Sequence, residues 1–287
     1  MRLKSMFALV TLMLLAGLAA AQTAPPAAGR APGGGLTQER QDELAHKHDG
    51  YYGALAPQNL NAKRPKAPFN LTGTWFIDLR RSFADFRFGP PYPEFAEPGQ
   101  TALREAEEAR KQGVPYRDYI GQCFPAGMPM IMTRVWPISM IQMPTAIYML
   151  FGFTNSMRFI YLDGRKFTDP DVVSYTYNGE SIGHFEGDVL VVKTKYMEPE
   201  KHFIDSGIPI SENTEIEERI TLSKDGMTLQ IDYSMTDPAL WKGPWKSTKR
   251  WLRQDYSDIP EVECLPNLNQ NLPSTAGGQQ AISERAK

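Results

Sequence analysis

The chain has 287 residues, of which 41% are hydrophobic, 11% aromatic and 22% charged, a globular balance that excludes wholesale disorder. With 33 acidic against 31 basic residues the formal charge is −2, and no basic stripe marks a nucleic-acid partner. The 23 Gly, the 23 Pro and the aromatics favour strands joined by turns over a helical bundle.

Met1-Arg2-Leu3-Lys4, the apolar run 6–18 and Ala19-Ala20-Ala21 have the form of a cleavable signal peptide, residues 1–21. Nothing later is apolar for long enough to span a bilayer, so a periplasmic protein with no membrane span is expected. Residues 22–68 read as a flexible tether and arm, with a helical hint at 36–48. The remaining cysteines are Cys123 and Cys264, and an oxidising compartment favours a disulfide between them. A free thiol or a metal ligand are the alternatives.

The body, expected as one domain over 69–266, opens with a strand at 69–78. The Pro-rich stretch 89–99 is unfit for a central strand. A surface helix is expected at 101–112, stopped by Gly113 and Pro115. After Pro137 come strands at 139–153, bent at Pro144, and at 157–162, turning at Asp163-Gly164. Further strands are expected at 172–178, 181–186, 189–195, 213–223, 227–235 and 247–254. Lys224-Asp225-Gly226 gives the strongest hairpin signal. Residues 267–287 read as a disordered tail. The pattern predicts an all-β fold, an antiparallel barrel or sandwich with one short surface helix and a long N-terminal extension. In the 227–235 strand Met227, Leu229, Ile231, Tyr233 and Met235 share one face, and Thr228, Gln230, Asp232 and Ser234 the other.

Leu71-Thr72-Gly73-Thr74-Trp75 resembles the first-strand G-x-W of the calycin barrels, such as lipocalins and avidins. That resemblance implies a barrel with an internal ligand site, closed at one end by Trp75, with Arg250 or Arg253 across its ring. A second resemblance runs through Cys123-Phe124-Pro125-Ala126-Gly127-Met128-Pro129, Ile160-Tyr161-Leu162-Asp163-Gly164-Arg165 and residues 179–192, which include His184-Phe185-Glu186-Gly187-Asp188. These are similar to successive blocks of a secreted bacterial family of uncharacterised proteins, which implies no reaction. Phe185 stands where the familiar block has Trp, and Val189 where it has Thr.

His184 and Glu186 lie two apart on one strand face, an arrangement in which a carboxylate can orient a histidine base. The alternative is that Glu186-Gly187-Asp188 simply builds a turn. Glu218 sits among Thr214, Ile216 and Ile220, so it needs a partner or a raised pKa. Arg158 is the expected partner, making a structural ion pair; unpaired, Glu218 is a candidate acid. Trp75, Arg158, Tyr161, Arg165, Tyr175 and Tyr233 are the candidate ligand-binding residues, and Asp163 needs no role beyond its turn. His46-Lys47-His48-Asp49 alternates potential metal ligands but reads as a solvated run, so no metal site is expected. The sequence has no H-E-x-x-H, phosphate loop or C-x-x-C-H, and no cofactor is expected. The expected function is binding of a small hydrophobic or aromatic molecule. The alternatives are a cofactor-free lyase, isomerase or hydrolase using His184 with Glu186 or Glu218, and an envelope structural or interaction protein.

Overall fold

The computed structural model describes residues 35–44, 51–80, 87–114, 116, 119–205, 207–262 and 264. The leader 1–21, most of the tether, the His46–Asp49 run and the 267–287 tail lie outside the described residues. Residues 1–50 and 51–287 are two units. The first contributes helix α1 (Gln38–Leu44). The second holds α2 (Pro57–Leu60), α3 (Glu97–Lys111) and all the named strands.

In chain order the strands are β1 (Gly73–Ile77), β2 (Glu94–Phe95), β3 (Ile138–Gln142), β4 (Ala146–Phe151), β5 (Met157–Tyr161), β6 (Glu180–Glu186) and β7 (Val189–Lys195). There follow β8 (Phe203–Asp205), β9 (Ile208–Pro209), β10 (Glu215–Leu222), β11 (Thr228–Thr236), β12 (Trp241–Lys242) and β13 (Trp245–Gln254). Nine of them close a barrel in the order β1-β13-β11-β10-β7-β6-β5-β4-β3, and β3 pairs back to β1. Alternation sends Leu229, Ile231, Tyr233 and Met235 of β11 inward, all at most 2% exposed, beside Trp75, Trp245 and Trp251. The fold is thus an all-β barrel, with α3 the one helix of more than two turns among the described residues.

Eight of the nine barrel pairings are antiparallel, and β5 with β6 is parallel, through only Ile160↔Ser181 and Tyr161↔Ile182. The turn expected at Asp163-Gly164 is therefore not a hairpin. The Asp163 carboxylate is drawn instead to the Arg165 side chain (2.6 Å) and Asn59 (2.9 Å), and the chain crosses over before entering β6. The strand expected at 172–178 is also absent, leaving one isolated bridge, Thr176↔Met197. Val172 and Val173 instead donate their N–H groups to the Asp169 carbonyl, a local turn that competes with a sheet ladder. Helix α3 begins earlier than expected, at Glu97, since Pro98 in the first turn removes an N–H that has no intrahelical partner there.

Trp75 and Arg253 are direct cross-strand partners on β1 and β13, and the guanidinium lies 4.3 Å from the indole centroid. Arg253 also donates to the carbonyls of Gly226 (2.9 Å) and Thr72 (2.7 Å), and the Trp75 indole N–H to that of Leu71 (2.9 Å). Gly73 adopts φ +146°, and a Cβ there would lie 2.2 Å from Arg253 Nη1. Gly73→Ala therefore strains the backbone and displaces the cation from the ring. A loss of about 2–4 kcal/mol in urea unfolding is expected, with Arg253→Ala no less costly than the glycine change.

Candidate functional site

Inside the barrel four strands meet at one polar knot. Arg158 donates through Nη1 to Glu218 Oε1 (3.1 Å), through Nη2 to Glu218 Oε2 and to Thr194 Oγ1 (2.9 Å), and through Nε to Ser181 Oγ (3.1 Å). The two charged side chains are at most 1% exposed. Charge pairing and hydroxyl partners thus use the donor fork and both carboxylate oxygens. Tyr233 stands opposite Glu218 in the ladder, and burial and the Glu218 charge push its phenol well above the ordinary value. Its hydroxyl has no hydrogen-bond partner among the described residues, nor do the indole N–H groups of Trp245 and Trp251. A buried donor left unpaired costs roughly 1–3 kcal/mol, so an acceptor reaching Tyr233 or Trp245 would be well received.

At the end of the barrel where β7 and β11 finish and β10 and β13 begin, an open cleft of about 900 Å³ is lined by Tyr175, Tyr196, Trp241, Pro170, Pro238 and Pro244. Its polar members include Lys195, paired with Glu215 (2.5 Å), and Lys242, paired with Glu94 (2.5 Å). The buried Asp237 fixes two walls at once. Its carboxylate accepts from Ser211 N–H (2.9 Å), Thr214 Oγ1 (2.5 Å) and Ala239 N–H (3.1 Å), while Leu240 and Trp241 donate to its carbonyl. Tyr196 is held at φ +59°, a left-handed backbone that costs a tyrosine about 1–3 kcal/mol. Its hydroxyl donates to the Thr168 carbonyl (3.0 Å), and its ring meets Tyr175 edge-on at 5.8 Å. Trp241 in turn packs on Trp245 at 5.8 Å, so aromatic contact runs from the cleft to an unpaired interior donor.

The residues singled out in the sequence fall in three places. His184 and Glu186, 3.2 Å apart and 62% and 50% exposed, stand on the outer wall, where Glu186 also accepts from Arg219. The hydrogen bonds from Arg219 and His184 hold the Glu186 carboxyl below its ordinary value. Glu218 points into the barrel, so the structure does not bring these three together. Trp75 lies beneath Arg253, and Arg158 and Tyr233 are interior. Arg165 sits 3.7 Å over the Tyr161 ring and is buried with Asp163, a structural clasp at the end of β5. Burial works to raise the Asp163 carboxyl, but bonds from Arg165 and Asn59 outweigh it and hold it low. Of the six candidate ligand residues, Tyr175 reaches the cleft. Tyr196, Trp241 and Asp237 were missed, although Asp237-Pro238 and the aromatic turn Trp241-Lys242-Gly243-Pro244-Trp245 were visible signals.

Behind the cleft the 196–202 loop is pinned by His202, 1% exposed, whose Nδ1–H donates to the Glu198 carbonyl (2.8 Å). Burial pushes the imidazole down to about 4, against the opposing pull of the Glu198 and Met128 backbones. The folded state therefore prefers neutral His202, and the unfolded chain takes up the proton first as pH falls. Its contribution to stability is complete above about pH 6.5 and is lost as pH drops to about 4, by up to about 3 kcal/mol. Urea unfolding across that window should show the slope, and His202→Gln should flatten it.

Against protein-family models the chain gives no match, and against curated proteins it gives none.

Proposed function

We propose that this protein binds a small, largely apolar or aromatic molecule in the cleft at the barrel's end. The observation that carries this reading is the cleft itself, about 900 Å³ and walled by three aromatic rings and three prolines. The strained Tyr196 supports it, since backbone strain is retained where the surroundings fix a working geometry. The unpaired Tyr233 and Trp245 donors support a ligand whose acceptor group reaches inward. The Arg253–Trp75 contact is in keeping with the calycin resemblance, in which the barrel serves as a container. An exported site of action is part of the same reading. It is supported by the leader-like residues 1–21 and by the Cys123–Cys264 disulfide, a bond that persists in oxidising compartments.

Titration with 8-anilinonaphthalene-1-sulfonate tests the cleft. Tyr175→Ala with Tyr196→Ala should weaken binding of this aromatic probe on the order of 10-fold, one to two lost stacking contacts. His184→Ala, on the outer wall, should leave it unchanged. Equal affinity in the parent and the double variant would remove the cleft as the site.

A further inference from the structure

The outer wall of the barrel is two-sided. Across β6, β7 and β10 the outward residues are charged and paired, as Lys193–Glu217 (3.9 Å), Lys195–Glu215 (2.5 Å) and Arg219–Glu186 (3.0 Å). Across β3, β4 and β5 they are mostly apolar, with Ser139 the polar member. Ile141, Tyr148 and Phe159 form one cross-strand row, and Met157 opens the next, with Ile141 46% and Met157 54% exposed. The strip continues onto Tyr52 and Leu55, 62% and 55% exposed. Thr145 Oγ1 fastens that segment to the β3–β4 turn by donating to the Ala54 carbonyl (2.6 Å), and Lys166 N–H fastens it beyond β5 by donating to Tyr51 Oη (3.1 Å).

Exposed cations lie at the Asp163 end of the same strip. Lys166 follows the Arg165 clasp directly, and Asn59, bonded to Asp163 (2.9 Å), brings the chain toward Lys63 and Lys66. None of these three lysines makes an ion pair with a described residue. A convex barrel wall offers no groove to a peptide, and on it only Ile141 and Met157 among the strand residues are large exposed hydrophobics. Aromatic and aliphatic side chains with lysines at one end do suit a shallow, reversible contact with lipid headgroups.

We propose that the β3–β4–β5 wall, with Tyr52 and Leu55, docks on an anionic phospholipid surface. The apolar side chains enter the headgroup region, and Lys63, Lys66 and Lys166 meet the lipid phosphates. Among the described residues no helix is long and apolar enough to cross a membrane, so this contact lies on the bilayer and does not span it.

Flotation of the full chain with phosphatidylglycerol and with phosphatidylcholine vesicles tests the proposal. Binding should favour the anionic vesicles at least 10-fold and weaken in 0.5 M salt, which screens surface charge to about 4 Å. K63E, K66E and K166E together should lower it on the order of 100-fold, since each lysine contributes severalfold near an anionic surface. I141D with M157D should lower it as well, while K193E on the opposite wall should not, all with unaltered thermal unfolding. Equal partition to both lipids, no partition, or anionic binding that survives both sets of substitutions would overturn it. So would vesicle-independent self-association abolished by I141D with M157D, which would make the wall a contact between copies.

Discussion

Glu218→Ala is expected to destabilise the protein by about 3–5 kcal/mol, the largest effect of any single substitution at the barrel's polar knot. The Arg158 guanidinium would stay buried at 1% exposure with its carboxylate partner gone. Its position sharpens the cost. The β5–β6 seam has only two residue pairs in register, and Arg158 on β5 reaches across it to Ser181, Thr194 and Glu218 on the next strands. The ion pair thus acts as a staple where the ladder is shortest. Arg158→Met with Glu218→Leu removes both charges and should recover stability to within about 2 kcal/mol of the parent, because the pair's attraction barely exceeds its desolvation cost. Urea unfolding of the three proteins decides this. If the single variant unfolds like the parent, the staple has no energetic weight.

Cys123→Ser with Cys264→Ser is expected to cost about 5 kcal/mol, the loop-closure entropy restored to the unfolded chain by opening a bond over 141 residues. That bond ties the chain beyond β13 to the segment before β3, and Val262 completes the attachment by exchanging hydrogen bonds with Asn155 (2.9 and 3.2 Å) in the β4–β5 turn. Reduction of the parent with dithiothreitol should lower its urea midpoint as the double substitution does. A midpoint unmoved by reduction would show that the two ends are held by packing alone.

Where two-residue alternation governs, the sequence was readable. Parity along β11 and β10 places Tyr233 and Glu218 indoors, and the same rule on β5 supplies Arg158 as the partner. Gly73-x-Trp75 likewise anticipates a cation over the indole, though choosing Arg253 over Arg250 takes the register, in which Trp75 pairs with Arg253. The 163–179 crossing was misread because Asp163 does close a local turn, accepting from Arg165 N–H (3.3 Å), but the chain then crosses over and enters β6 parallel to β5 instead of folding back as a hairpin. The cleft was the least legible part. It is assembled from Pro170 and Tyr175, from Tyr196, from residues 212–215 and from residues 236–244, loop and strand-end segments with no periodicity of their own. Their convergence follows from the pairing order, which sets β7, β10, β11 and β13 side by side, and from Asp237, whose bonds to Ser211 and Thr214 are invisible in a linear reading.

The most direct measurement on the cleft is native mass spectrometry of the protein taken intact from its own cells, beside the Tyr175→Ala and Tyr196→Ala double variant. The cleft assignment predicts a small aromatic or apolar molecule retained by the parent and largely lost from the variant. A parent that emerges empty, or a variant that holds the same molecule equally well, contradicts it.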